Sequence, residues 1–257
     1  MRPPGGTTRR GNASSGRTRR PWGRSAAVAY PSHPVATRLD KLARARLYFV
    51  CDATPALHDP ELLLDRALCG GVDIVQLRDH DASDDALLAA APIFRAAADR
   101  HDALFILNDR PDLVAAAKAD GVHVGQDDTP VAAARAAAGE DAIVGLSSHR
   151  PEQLAAALAA DGPSRPDYIS IGPVWATPTK PGRPAAGLDY VRHAAAHAGD
   201  LPWFAIGGID ATNIGEVAAA GASRVVVVRA LRDVSDPQGA ARGLLAALSS
   251  PAGAAAP

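Results

Sequence analysis

Short runs that are apolar on successive residues recur along most of the chain, at 47–51, 74–77, 104–107, 122–124, 143–146, 168–171, 203–206 and 225–228. They are too short for helices and lack the in–out alternation of a half-exposed strand. Parallel strands covered on both faces look like this. Between them lie Ala/Leu-rich stretches with helical spacing, at 60–69, 84–101, 111–117, 130–138, 151–160, 188–198, 213–220 and 237–248. Capping residues mark several helix starts: Asp59 before Pro60, Ser83 before Asp84, Thr129 before Pro130 and Asp236 before Pro237. Gly or Asp precedes several strands, as at 71–73, Asp120–Gly121, Asp167 and Gly221, which reads as helix-to-strand loops. An open doubly wound sheet has fewer strands and a glycine fingerprint after the first. Eight strand–helix units without that fingerprint predict a closed (β/α)8 barrel, an α/β fold whose site lies at the C-terminal ends of the strands.

Composition agrees with a barrel and sets its boundaries. Of 257 residues, 47% are apolar and only 4% aromatic, so the core is expected to rest on Ala, Val, Leu and Ile. Residues 1–38 carry eight Arg and no acid, and are rich in Pro, Gly, Ser and Thr. Such a segment buries too little surface to offset its ordering entropy. It reads as a disordered basic arm: a dispensable tail, or translation starting upstream of the true start. Residues 39–250 form the barrel and 251–257 a flexible tail. The rest of the chain keeps 19 of the 27 basic side chains against all 28 acidic ones, a net of −9. An acidic body argues against nucleic acid as a partner, since phosphate contacts supply most of that affinity. No apolar run reaches the ~20 residues that span a bilayer, so no membrane partner is expected. Cys51 and Cys69 have no metal-ligand spacing and read as buried free thiols of a reducing, cytoplasmic protein.

The residues that follow the strands look like chemistry rather than turns. They include Gln76-Leu77-Arg78-Asp79-His80, Asn108-Asp109-Arg110, Gly125-Gln126-Asp127-Asp128, Ser147-Ser148-His149, the stretch from Gly172 to Lys180, Gly207-Gly208, and Val228-Arg229. Asp109 and Asp128 follow neighbouring strands. Two oxygen donors without a nearby Cys suit Mg²⁺, which keeps waters and shares itself with substrate phosphates. The alternative is that both merely cap the helices that follow. Gly207-Gly208 and the end of strand eight stand where barrels bind phosphate through backbone N–H groups. Arg78 and Lys180 are cations at strand ends of an acidic body. With a phosphate loop and a metal pair they suggest phosphorylated small molecules as ligands. Thr177-Pro178-Thr179-Lys180 opens a long loop, as binding loops and lids do, with Gly182 and Gly187 as pivots. His123 lies within strand four and is expected to pack inside the barrel. His149 reads as a first-turn helix residue. Ser147 forms no Ser-His-Asp order with either, so a nucleophilic hydrolase is not supported.

Taken in order, these stretches resemble the bacterial thiamine-phosphate synthases, also called thiamine-phosphate pyrophosphorylases. The likeness runs from about residue 47 to 248 and includes 76–79, 108–110, 119–128, 145–149, 172–174, 177–180 and 205–209. It implies condensation of 4-amino-2-methyl-5-hydroxymethylpyrimidine pyrophosphate with 4-methyl-5-(2-phosphoethyl)thiazole, or its 2-carboxy form. The products are thiamine phosphate and pyrophosphate. It implies one Mg²⁺ per subunit on Asp109 and Asp128. Arg78, Ser147 and Lys180 become the catalytic candidates. Gln76, Asn108 and Ser147 would position the pyrimidine pyrophosphate, and Leu77, Asp79 and His80 share its motif. Thr177, Pro178, Thr179, Gly208, Val228 and Arg229 would hold the thiazole phosphate. The family usually carries Lys where this chain has His80, so charge there would depend on protonation in the substrate complex. A homo-oligomer is left open.

Three rivals remain. A thiazole tautomerase of the same superfamily would need no metal pair. A non-catalytic precursor sensor would bind without turnover. An aldolase or epimerase barrel would want a strand-end Lys deep in the barrel, and Lys180 sits in a loop.

Overall fold

The computed structural model describes residues 37–177 and 184–249. Of the arm expected at 1–38, residues 1–36 lie outside the described residues, as do the tail expected at 251–257 and Pro178, Thr179, Lys180 and Gly182; Thr37 and Arg38 instead cap and open a helix.

Eight parallel strands close into a barrel in chain order. They are β1 (Leu47–Cys51), β2 (Ile74–Leu77), β3 (Leu104–Asn108), β4 (Gly121–Val124), β5 (Ile143–Ser148), β6 (Tyr168–Ile171), β7 (Trp203–Ile206) and β8 (Val225–Val227). Among the described residues ten α-helices accompany them: α1 (Arg38–Arg44), α2 (Pro60–Cys69), α3 (Asp84–Arg100), α4 (Val114–Ala117), α5 (Val131–Ala138), α6 (Pro151–Ala159), α7 (Gly187–His197), α8 (Ile214–Ala219), α9 (Arg229–Arg232) and α10 (Pro237–Ser249). The expected strands and their intervening helices are all present. The helix expected at 111–117 starts as a 3₁₀ turn at Pro111–Leu113 before α4. Asp59 and Ser83 cap α2 and α3 through their side chains, and Asp236 accepts from the Gly239 N–H at the start of α10. Thr129 does not cap α5. That helix starts one residue later, after Pro130, with no side-chain cap.

Two helices fell outside the periodic pattern. In α1, Thr37 and Asp40 form a capping box. Leu42 joins the cluster inside the barrel, while Arg38 and Lys41 pair with Asp120 and Asp102 ahead of β4 and β3. Arg224, ahead of β8, donates to the carbonyls of Ala43 and Ala45. These contacts place α1 over the N-terminal end of the barrel and leave the C-terminal end as the mouth. The second helix, α9, is a single turn after β8.

A repeated aspartate sets the register at the N-terminal end. Asp73, Asp120 and Asp167, each ahead of an even-numbered strand, accept the backbone N–H of Leu47, Phe105 and Val144 on the strand before. These are three of the Asp positions that read as loops in the sequence. Arg95 and Arg38 neutralise Asp120, and Arg135 neutralises Asp167.

The core has two shells. Phe49, Val75, Leu77, Phe105 and Leu107 face the helices, packed on Ala- and Leu-rich faces such as Ala91, Phe94 and Ala98 of α3. Tyr48, Ile74, Ile106, Tyr168, Phe204 and Val226 fill the barrel. The expectation of an Ala/Val/Leu/Ile core is corrected at the centre. Tyr48, Tyr168 and Phe204 pack there tilted or edge-to-face, with centroids 5.7–6.0 Å apart. Few aromatics suffice because these three large rings pack against one another inside the barrel. Cys51 is buried as expected, but Cys69, at the end of α2, is exposed. Among the described residues no helix is long and apolar enough to cross a membrane.

Candidate active site

The mouth of the barrel holds a cavity of about 380 Å³ to which all eight strands or the loops after them contribute. Alternation explains who lines it. In β2, Gln76 turns inward while Leu77 packs among the helices, so any part Leu77 plays falls to its backbone. In β5 and β6, Ser147 and Ser170 turn inward beside His123 of β4.

The polar floor is one connected chain of hydrogen bonds. Gln76 Nε2 donates to the Tyr48 hydroxyl, which lies 3.0 Å from that of Tyr168. The Tyr168 hydroxyl is 3.0 Å from His123 Nδ1, and His123 Nε2 is 3.0 Å from Ser147 Oγ. Beyond Gln76, each hydroxyl can give or take along these links, and the His123 tautomer sets the direction at Nδ1 and Nε2. Burial pushes both tyrosines well above the ordinary phenol range, so they stay neutral donors. His123 is buried and hydrogen-bonded, as expected. A His–Ser contact does exist, which the chain order did not reveal. Its outer partner is a phenol rather than a carboxylate, so the arrangement lacks the third group that orients the base of a nucleophilic triad.

Cations and carboxylates stand on the rim. Arg78 is buried at the cavity edge. Burial lowers its pKa, opposed by Asp109, Asp52 and Asp79. It contacts the His80 ring. A guanidinium only donates, so His80 Nε2 is the acceptor in this contact. Asp109 has φ 58°, a left-handed backbone that Asp tolerates better than most residues. Its N–H is bound to the His123 carbonyl at 2.9 Å, and its carboxylate accepts from Asn108 Nδ2. Asp128 accepts the Gly125 N–H at 2.8 Å, closing the turn after β4. Neither aspartate caps a helix, because the turns at Pro111 and Val131 have no side-chain cap. Asp109, Asp128, Asp79 and His80 do not line the cavity itself. Asn108, Thr177, Gly208, Val228 and Arg229 do.

On the opposite side, Gly207 (φ 110°) and Gly208 (φ 67°) bring bare backbone to the cavity. A Cβ on Gly207 would lie 2.5 Å from Pro173, so only Gly fits. Val228 opens α9, and the first N–H groups of a helix have no intrahelical acceptor. Glycine backbone and helix start face the same space, the usual barrel device for a phosphate.

Three features escaped the sequence reading. Tyr48 and Ser170 look like ordinary strand residues, although a Ser within the apolar run 168–171 was a signal. His149 is no plain first-turn residue: it lines the cavity, and its Nδ1 donates to the Gly172 carbonyl at 2.6 Å. Gln126 donates to the Ser147 carbonyl at 2.7 Å and fixes that strand end from the neighbouring loop.

Residues 47–231 match the family described as "Thiamine monophosphate synthase". The chain belongs to that family. It is accordingly an enzyme, of the transferase class. It is 50% identical over 211 residues to the thiamine-phosphate synthase of Acidothermus cellulolyticus, covering 82% of this chain and 98% of that protein. With the thiamine-phosphate synthase of Thermobifida fusca it shares 52% identity over 206 residues, 79% of this chain and 92% of the other. Among solved structures, thiamine phosphate pyrophosphorylase from Pyrococcus furiosus is 28% identical with a TM-score of 0.69, over 80% of this chain and 96% of that one. A 3-hexulose-6-phosphate synthase, 24% identical with a TM-score of 0.55 over 79% of this chain and 100% of that one, shares the fold alone. The family expected from the strand-end motifs is the family found.

Proposed function

We propose that this family member is a working thiamine-phosphate synthase. It joins 4-amino-2-methyl-5-hydroxymethylpyrimidine pyrophosphate to 4-methyl-5-(2-phosphoethyl)thiazole, or its 2-carboxy form. The observation that carries the reading is the two-sided mouth. Gln76, Arg78, Asn108 and Ser147 stand on one side, and the Gly207–Gly208 and Val228–Arg229 backbone on the other. That is room for two phosphorylated ligands face to face.

The C–O bond between the pyrimidine methylene and the pyrophosphate breaks, and its electron pair leaves on the pyrophosphate oxygen. The aminopyrimidine ring stabilises the cationic carbon. The thiazole nitrogen supplies its lone pair to form the C–N bond. No proton is transferred in this step, which suits a floor without a general base; the 2-carboxy form would in addition lose CO2 and take up one proton at the vacated carbon. The protein's task is to hold the partners in line and to stabilise the departing charge. Gln76, Asn108 and Ser147 orient the pyrimidine. Arg78 and Lys180 hold the pyrophosphate as it leaves, and Leu77, Asp79 and His80 complete its binding loop. Thr177, Pro178 and Thr179 bind the thiazole phosphate. Asp109 and Asp128 offer only oxygen donors, and neither is spent as a helix cap, which fits Mg²⁺. Bound there, the ion supplies neutralisation of the leaving pyrophosphate.

The stoichiometry of products tests the reading. Pyrophosphate and thiamine phosphate should appear in equal amounts, and only when both substrates are present. Conversion of the thiazole without release of pyrophosphate would favour a tautomerase, and tight binding without turnover a sensor.

A further inference from the structure

We propose that Asp65, Cys69 and His101 form a site for a thiophilic divalent cation of the zinc class, remote from the barrel mouth. Asp65 and Cys69 lie one turn apart on α2, and His101 follows the last residue of α3. A carboxylate oxygen, the Cys69 Sγ and an imidazole nitrogen all lie within 4.8 Å of one another. The helices run opposite to the strands, so their C-terminal ends place this cluster at the N-terminal end of the barrel.

Several observations converge. The donor set is one S, one N and one O, which Zn²⁺ accepts at about 2.0–2.3 Å, leaving a fourth position for water. Tetrahedral bonds of those lengths put donors about 3.3–3.6 Å apart. His101 Nε2 and Asp65 Oδ1 now sit 2.8 Å apart, so seating an ion needs only a small spreading of this pair. Two helix C-termini meet here, and their dipoles favour a cation. Arg100 Nε lies 3.5 Å from the same Asp65 oxygen. A carboxylate has two oxygens and can serve Arg100 and an ion together. The bland alternative is an ion pair tying α2 to α3. That pair has no use for a thiol, whereas Cys69 is exposed and turned to the same spot. On binding, the Cys69 proton is released to solvent. His101 Nε2, which now donates to Asp65, gives up its hydrogen to solvent or to Nδ1 and takes the ion in its place, the ring keeping one proton on Nδ1.

Cobalt(II) reports a bound thiolate by a sulfur-to-metal charge-transfer band. The full chain, freed of metals and kept in excess Mg²⁺ so that Asp109 and Asp128 are occupied, is titrated with Co²⁺. The proposal expects a band that saturates at one ion per chain and is displaced by Zn²⁺. Cys69→Ser should abolish it while synthase activity in Mg²⁺ stays at the wild-type level. His101→Ala should weaken binding by about tenfold or more. Absence of the band, or a band that survives Cys69→Ser and is lost in Cys51→Ser, would overturn the proposal.

Discussion

His123 Nε2 lies 3.0 Å from Ser147 Oγ, and through Nδ1 the same ring reaches the Tyr168 hydroxyl, also at 3.0 Å. One histidine thus joins a substrate-facing serine to the tyrosines under the barrel floor. Tyr168→Phe removes a single oxygen and interrupts the chain between Gln76 and Ser147. Loss of one buried hydrogen bond is worth ~1 kcal/mol, about fivefold in an equilibrium. The expected outcome is a fall of about five- to tenfold in kcat/KM for the pyrimidine pyrophosphate, with the KM for the thiazole phosphate unchanged. Equal losses for both substrates would mean that Tyr168 serves packing alone.

The opposite wall makes the complementary prediction. Gly208 has φ 67°, and a Cβ there would lie 3.1 Å from that of Trp175. Gly208→Ala should cost about 1–2 kcal/mol of stability through backbone strain. It should raise KM for the thiazole phosphate while sparing the pyrimidine KM. Steady-state kinetics on each substrate, with a urea melt, check both parts.

His80 stands where the family resemblance implies lysine, and its ring accepts from Arg78. Pyrophosphate beside it should draw a proton onto the ring. A histidine ordinarily charges below about pH 6.5, so wild-type kcat/KM should fall as pH rises through the neutral range. His80→Lys should abolish that fall. Coincident pH profiles of the two proteins would contradict the role.

Arg110 ties the loop that carries Asp109 to α3. It pairs with Asp84 at the start of α3 and with Asp112, and these hydrogen bonds hold both carboxyls below their ordinary value of 3.8. A depressed carboxyl stabilises the fold above its unfolded pKa and loses that contribution as pH falls through the folded value. The stability difference between wild type and Arg110→Ala should therefore be present at pH 7 and be lost in acid, as pH falls below 3.8 and through the lowered folded values. The groups are largely exposed, so the difference is small. Urea melts at pH 7 and in acid measure it.

The barrel was legible because each strand is a short apolar run and each helix has its own spacing. The capping box at Thr37 and Asp40 was also visible in the letters. It went unread because α1 is short and follows a stretch without periodicity. The strand-end residues Gln76, Arg78, Asn108, Ser147 and Gly208 were legible from position alone. The floor was not. Its links join β1 to β2 and β6, and β4 to β5 and β6, and such contacts exist only once the barrel closes. Cys69 was misjudged for the same reason: its neighbour His101 is distant in sequence.

The most direct measurement supplies both substrates to the purified chain, with and without Mg²⁺, and follows thiamine phosphate by the fluorescence of its oxidised product. The account predicts Mg²⁺-dependent product that Asp109→Ala loses while both substrates still bind. No product from the wild type, with both ligands bound and Mg²⁺ present, would contradict it.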